Sequence, residues 1–209
     1  MTTEVKKSLF GSFKKQINRI FNGSVIVWKI RNCPVPPPHK VKEKIIRNFA
    51  REHGCGALIE TGTYRGDMIK AQINNFDWLA SIELSEYYYE RAQKRFSGKK
   101  KVHLYQGDSG EVIGQAIKDV PSGLKVCFWL DGHYSGGKTE RKAKDTPIIQ
   151  ELDTVFDSLQ SGVILIDDAR CFIGQNDYPS IDELKKFVYE KNKAIELFDN
   201  RDDIIRIVF

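Results

Sequence analysis

Six carboxylates in this chain stand where an apolar run gives out. Glu60 closes Ala57-Leu58-Ile59, Glu83 closes Trp78 to Ile82, and Asp108 follows Val102 to Tyr105 by a short step. Asp131 closes Lys125 to Leu130, and Asp167-Asp168 close Gly162 to Ile166. If each run is a strand of an open parallel sheet, these side chains collect at its C-terminal edge, where ligands of such sheets bind. A helix cap accounts for one or two of them, and Asp108 before Ser109-Gly110-Glu111 is a fair N-cap candidate. It does not account for five strands in succession, because clustered carboxylates repel unless a cation or hydroxyl donors occupy the space between them.

Each position suits a particular task. In Glu60-Thr61-Gly62-Thr63-Tyr64-Arg65-Gly66 a strand passes through a glycine turn into a helix. The two glycines predict close backbone approach, with the N–H groups that follow facing a nucleotide-like ligand. Glu83, roughly 20 residues beyond the turn, is placed to accept hydrogen bonds from two ribose hydroxyls. Asp108 and Ser109 come next along the edge, within reach of a base amine. Asp131, Asp167 and Asp168 are hard oxygen ligands that suit Mg²⁺. The alternative is that Asp131 bonds cofactor or backbone while one of the Asp pair caps a turn. His133, in Asp131-Gly132-His133-Tyr134-Ser135-Gly136, has the titration range of a general base, or is a surface-loop histidine. Gly136-Gly137 leads into a basic stretch (Lys138, Arg141, Lys142, Lys144) that greets a phosphate or sugar acid, or is simply solvated. Arg170 and Tyr178 are placed to line an acceptor pocket.

The elements that must carry these residues alternate from Gly56 onward. Strands are predicted at Ala57–Glu60, Trp78–Glu83, Val102–Tyr105, Lys125–Asp131 and Gly162–Asp167. The fourth is apolar after its first residue, as a strand buried on both faces should be. Helices are predicted from about Gly66 to Asn74, Ser85 to Phe96, Asp108 onward, Thr146 to Leu159 and Ile181 to Tyr189. Two last strands, Ala194–Phe198 and Asp203–Phe209, are separated by Asp199-Asn200-Arg201-Asp202, a link that fits only a hairpin because parallel neighbours need a longer crossover. Five βα units and a hairpin make an α/β three-layer sandwich with a mostly parallel sheet. A plain dinucleotide-binding fold does not end this way.

Length and composition agree. A chain of 209 residues with 41% hydrophobic and 29% charged residues suits a globular domain with a substantial core. Its four cysteines (Cys33, Cys55, Cys127, Cys171) form no metal-binding spacing, and Cys127 falls inside an apolar run. A reducing cytoplasm is the simplest compartment, since neither a secretory apolar region nor a membrane-length run occurs. The net charge of +5 is unevenly placed: Val5 to Lys42 holds nine Lys/Arg and no acidic residue. The remainder is slightly acidic, which argues against a protein-wide nucleic-acid surface. Thr3 to Phe21 reads as an amphipathic helix with Leu9, Phe13 and Ile17 on one face. It leans peripherally on an anionic membrane or a partner, or packs on its own domain. Ser24 to Ile30 is predicted as a short extended run, Pro34 to Pro38 as an extended linker, and Lys40 to Arg51 as a helix carrying Val41, Ile45, Ile46 and Phe49. Residues 1–38 are thus an arm and linker, and 39–209 the functional domain.

Ile59 to Gly66, Ser81-Ile82-Glu83-Leu84, Gly107-Asp108-Ser109, Trp129 to Gly136 and Leu165 to Arg170 resemble the successive motifs of class I S-adenosylmethionine (SAM)-dependent methyltransferases. The nearest branch resembles small bacterial O-methyltransferases of the macrocin O-methyltransferase type. The resemblance spans about Lys40 to Phe209. It implies a Rossmann-like seven-stranded sheet in the order 3-2-1-4-5-7-6. Glu60, Thr61, Gly62, Thr63 and Gly66 would surround the methionine part of SAM, Glu83 the ribose, Asp108-Ser109 the adenine, and Asp131 would reach the cofactor as well. It also implies Mg²⁺ between the fourth and fifth strand ends, and a hydroxyl acceptor on a saccharide or other small metabolite. One departure is Tyr64, which stands where the usual acidic-x-Gly-x-Gly motif has its second glycine. Two other functions compete: a nucleotide-dependent oxidoreductase, and a catalytically idle binding module recruited by its basic arm.

Overall fold

The structure, a computed structural model, describes residues 25–132, 146–191 and 194–209. The amphipathic arm, His133 and the basic stretch from Lys138 to Lys144 lie outside the described residues. The chain enters through α1 (Val25–Ile30) and α2 (His39–Glu52). The first of these replaces the expected extended run. Six residues suffice for its turn and a half because Trp28 is buried and its indole N–H donates to the Pro34 carbonyl at 2.8 Å. Tertiary anchoring thus overrides the β preference of Val25, Ile26 and Val27.

Strands and helices then alternate: β1 (Cys55–Thr61), α3 (Asp67–Gln72), β2 (Trp78–Glu83), α4 (Glu86–Arg95), β3 (Val102–Gln106), α5 (Ser109–Lys118) and β4 (Lys125–Leu130). After these come α6 (Ile148–Ser158), β5 (Gly162–Ile166), a 3₁₀ turn (Ala169–Cys171), α7 (Ile181–Lys191), β6 (Leu197–Arg201) and β7 (Ile204–Val208). They build one seven-stranded sheet in the order β3-β2-β1-β4-β5-β7-β6. The first five strands run parallel, while β7 is antiparallel to both β5 and β6. This is the order implied by the family resemblance.

Period-2 alternation divides the core between two faces. Ala57, Ile59, Phe128 and Ile164 pack toward Ile113 of α5, Leu152 and Val155 of α6 and Leu184 of α7. Leu58, Leu79, Cys127 and Leu165 pack toward Ile46 of α2, Ile69 of α3 and Ala92 of α4. Cys127, fully buried, is the small core residue expected.

The hairpin turn lies further along than the sequence suggested. Its corner is Asp202-Asp203, both at positive φ (58° and 62°), rather than the Asp199 to Asp202 stretch. Asp tolerates the left-handed region because its short side chain bonds locally. Here those side chains have partners: Asp202 accepts from Arg206 Nη2, while Asp203 Oδ1 accepts the Arg170 backbone N–H at 2.9 Å and its Oδ2 pairs with the Arg170 guanidinium. The Asp203 carbonyl also accepts from Ala169 N at 2.9 Å, tying the corner to the end of β5. Asp203→Gly would relieve about 1 kcal/mol of backbone strain. It would also remove charge-assisted bonds worth about 1.5–3 kcal/mol. Urea denaturation should therefore show a net loss of about 1 kcal/mol; a stabilised variant would contradict this balance.

Candidate functional site

Strand register brings the C-terminal ends of β2, β1, β4 and β5 to one edge. Beyond the last paired residues the ladder continues as Gly62 N to Ile82 O (2.9 Å), Asp131 N to Thr61 O (3.2 Å) and Asp167 N to Leu130 O (3.0 Å). Gly62, Asp131 and Asp167 therefore lie side by side. Glu60 (2% exposed), Glu83 (7%) and Asp167 (1%) are buried, while Asp131, Asp108 and Asp168 are half-buried.

The glycines of the turn allow close packing within the protein. A Cβ on Gly62 (φ +85°) would lie 2.5 Å from the Asp131 carbonyl oxygen, and one on Gly66 (φ +73°) would lie 2.7 Å from the Phe96 ring. Both allow parts of the protein to close on one another. The turn's amides are likewise used internally: Gly62 N and Thr63 N donate to Ile82 O, Gly66 N to Thr63 O, and Tyr64 N to Glu83 Oε2 at 2.6 Å. Glu83 Oε1 accepts Ser85 N at 2.9 Å. Glu83 is thereby fixed beside the turn by two backbone N–H groups. Tyr64 adopts φ 47° itself, and its ring packs at 4.7 Å on Tyr88 of α4. The departure from the glycine pattern is accommodated because the backbone bond to Glu83 and the aromatic contact hold the turn.

Beneath the turn runs a buried polar chain. Thr63 Oγ1 and Ser81 Oγ are 2.6 Å apart, and Ser81 Oγ donates to Glu60 Oε2. Burial pushes the Glu60 carboxyl well above its ordinary range, and Asp131, Glu83 and Asp67 add to the shift. Glu60 thus favours its neutral form. A cationic ligand group beside it would favour the carboxylate instead.

Asp108 is the N-cap of α5, its Oδ1 accepting Gly110 N at 2.9 Å. The cap fixes where Ser109 begins the helix, buried and close to Gly132. A Cβ on Gly132 would lie 2.9 Å from Thr61 Oγ1 and 3.1 Å from Ser109 Oγ. Thr61, Ser109 and the Asp131-Gly132 backbone therefore converge between β1, β4 and α5, with Thr61 Oγ1 also accepting Asp131 N at 3.2 Å.

The three carboxylates expected to hold Mg²⁺ are arranged differently. Asp167 Oδ1 accepts Asp168 N at 2.9 Å, and its Oδ2 accepts the ammonium of Lys42, from α2. Lys42 Nζ lies 3.6 Å from Asp168 Oδ1, which also accepts Arg170 Nη1 at 2.8 Å. Among the described residues no three His, Cys, Asp or Glu side chains are grouped to ligate a metal. The donor set at this edge therefore does not fit Mg²⁺: a lysine ammonium engages two of the three carboxylates. Burial alone would lower the Lys42 pKa, but Asp167, Asp168 and Asp131 leave it above its ordinary value. Asp167 is itself pushed up by burial and by Asp168 despite the ammonium. Both shifts keep a proton in the pair.

Lys42 was hidden in the sequence as the last of the basic residues that run from Val5. Its spacing to Ile45, Ile46 and Phe49 is a signal in retrospect, since i, i+3, i+4 and i+7 share one helix face. Arg170 is held by Asp168 and Asp203, and the Tyr178 ring packs edge-on against Phe172 at 5.3 Å. Both stand after β5, as expected, but their described partners are protein groups.

No family model and no curated protein matches this chain. Solved structures do. TomG, an O-methyltransferase of Streptomyces achromogenes solved with SAM, is similar over 87% of this chain and 85% of its own (TM-score 0.59, 12% identity). An O-methyltransferase from Bacillus cereus, solved with S-adenosylhomocysteine (SAH), is similar over 88% of each chain (TM-score 0.55, 13% identity). The SAH-bound methyltransferase PaMTH1 of Podospora anserina is similar over 100% of this chain and 96% of its own (TM-score 0.56, 16% identity). The fold is that of class I SAM-dependent methyltransferases.

Gly62→Ala tests the close approach of β1 and β4. Strain and the contact with the Asp131 carbonyl should together cost about 2–4 kcal/mol in chemical denaturation. A loss below ~0.5 kcal/mol would show that the strand ends separate freely.

Proposed function

We propose that this chain is a SAM-dependent O-methyltransferase acting on a hydroxyl of a saccharide or another small metabolite. The observation that carries the proposal is Glu83: a buried carboxylate, fixed by Tyr64 N and Ser85 N at the end of β2, beside the β1 turn of a methyltransferase-ordered sheet. A paired acceptor in that place suits the two hydroxyls of a ribose. Glu60, with Thr61, Gly62, Thr63 and Gly66 around it, faces the methionine end in this reading, and Asp108-Ser109 the adenine. The cofactor supplies an electrophilic methyl on a sulfonium, whose positive charge complements the acidic edge.

The protein's own work is orientation and one proton. The chain's residues would hold an acceptor hydroxyl in line with the methyl group that bound SAM would supply. The hydroxyl proton must leave, and His133, two residues beyond Asp131, is the base we assign to take it. Asp131 orients that base or the acceptor. Arg170 and Tyr178, after β5, flank the acceptor side.

Calorimetric titration with SAH, with and without Mg²⁺, tests cofactor class directly. Binding of NAD(H) with no SAH binding would instead favour the oxidoreductase. Glu83→Ala should weaken SAH by about 10- to 100-fold, from loss of charge-assisted hydrogen bonds worth about 1.5–3 kcal/mol. Asp131→Ala and His133→Ala should abolish methyl transfer while SAH affinity stays within a few-fold; turnover surviving both would refute the base assignment.

Glu60 gives a pH test. Because its pKa is raised in the free protein, the carboxylate that a cationic methionine end prefers forms only as pH rises. SAH affinity should therefore increase with pH through the raised Glu60 pKa, and Glu60→Gln should flatten the profile. A wild-type profile already flat would exclude this role for Glu60.

A further inference from the structure

Two elements distant in sequence meet at the end of β5. Lys42 projects from the first turns of α2, and Asp167-Asp168 from the loop after β5. The Lys42 side chain is 15% exposed, Asp167 2% and Asp168 18%, so the ammonium is held within the protein. A surface ion pair contributes little and is interchangeable with solvent; a pair with one partner fully desolvated is not. The helix that delivers Lys42 is well anchored. Val41 and Ile46 are buried, and the buried Gln72 of α3 donates to the Glu43 carbonyl at 2.8 Å. The aspartates are anchored too. Asp167 Oδ1 accepts Asp168 N, Asp168 turns through φ 55°, and Arg170 bridges Asp168 to Asp203.

We propose that Lys42 is the resident cation of this edge, its ammonium filling the space between Asp167 and Asp168 that their carboxylates would otherwise offer to a divalent ion. The consequence for chemistry rests on the methyltransferase reading. A fixed positive charge at the β4–β5 edge favours an acceptor oxygen as its proton leaves, the service a Lewis acid would give, and it needs no exchangeable metal. Lys42 is in this sense a positioning and electrostatic residue. It holds its proton and is not the base. Arg170 supplies a second fixed charge at Asp168 Oδ1, the same oxygen that faces Lys42, so two cations contact the aspartate pair.

The experiment uses Mn²⁺ as the probe ion and the full chain. Paramagnetic resonance counts free Mn²⁺ against protein, and thermal unfolding reads the linked stabilisation. Wild-type protein is expected to leave the Mn²⁺ signal undiminished and to unfold at the same temperature with or without MnCl₂. Lys42→Ala, with Lys42→Gln as the bulkier second variant, is expected to bind about one Mn²⁺ and to gain thermal stability on its addition. Adding Asp167→Asn to either should remove both effects. Wild-type protein that binds Mn²⁺ and loses it on Asp167→Asn overturns the proposal. So do Lys42 variants that are folded by circular dichroism yet bind no Mn²⁺. If neither variant folds even with Mn²⁺ present, the wild-type arm decides alone: Mn²⁺ bound at Asp167 refutes the proposal, and none bound supports it. An SAH titration of the same samples separates this outcome from the function. Failure to bind SAH with the Mn²⁺ pattern intact would refute the methyltransferase reading and leave the resident cation standing.

Discussion

The contact between Gly62 and the Asp131 carbonyl sets how closely β1 and β4 finish, and much of the site follows from it. With no Cβ at residue 62, the ladder continues past the paired strands, so Thr61 can accept Asp131 N through both its carbonyl and its hydroxyl. Asp131 and Asp167 are then carried to the same level as the turn. Gly132 repeats the device between Thr61 and Ser109, drawing α5 against the strand ends. A wider separation would leave the same side chains present but not gathered. Close backbone packing, more than any single side chain, makes this edge a site.

Once gathered, the carboxylates create an electrostatic problem that the structure meets in a different way at each position. Glu60 favours its proton because it is buried and its neighbours Asp131, Glu83 and Asp67 are acidic. Glu83 is stabilised by two backbone N–H groups, Asp108 by the N-terminus of the helix it caps. Asp167 takes the Lys42 ammonium, and Asp168 is shared between Lys42 and Arg170. The edge is thus graded, from a neutral acid at β1 to an ion-paired cluster at β5.

Much of this was legible before any coordinates. The end-of-strand acids, the glycine turn and the closing hairpin are periodic or punctuating features, and each depends on residues close in sequence. The strand that begins at Trp78 and the cap at Asp108 follow local rules, and they are observed as expected. Where expectation failed, the cause was burial or a side-chain partner that only the folded chain supplies. Trp28 finds burial and an acceptor at Pro34, so a β-prone run becomes helix. The hairpin corner moves to Asp202-Asp203 because Arg206 and Arg170 supply partners for two left-handed aspartates.

By itself, then, the sequence determined the alternation of elements, the sheet they imply and the acids at its edge, since these follow from short-range periodicity and turn chemistry. Only the tertiary structure decided what those acids face. The turn's amides bond to Ile82, Glu83 and Thr63, the glycines admit Asp131 and Phe96, and the cation at Asp167 comes from a helix 125 positions earlier in the chain. Spacing along a chain carries no information about contacts closed by folding, and charge neutralisation at a buried edge is a property of such contacts alone.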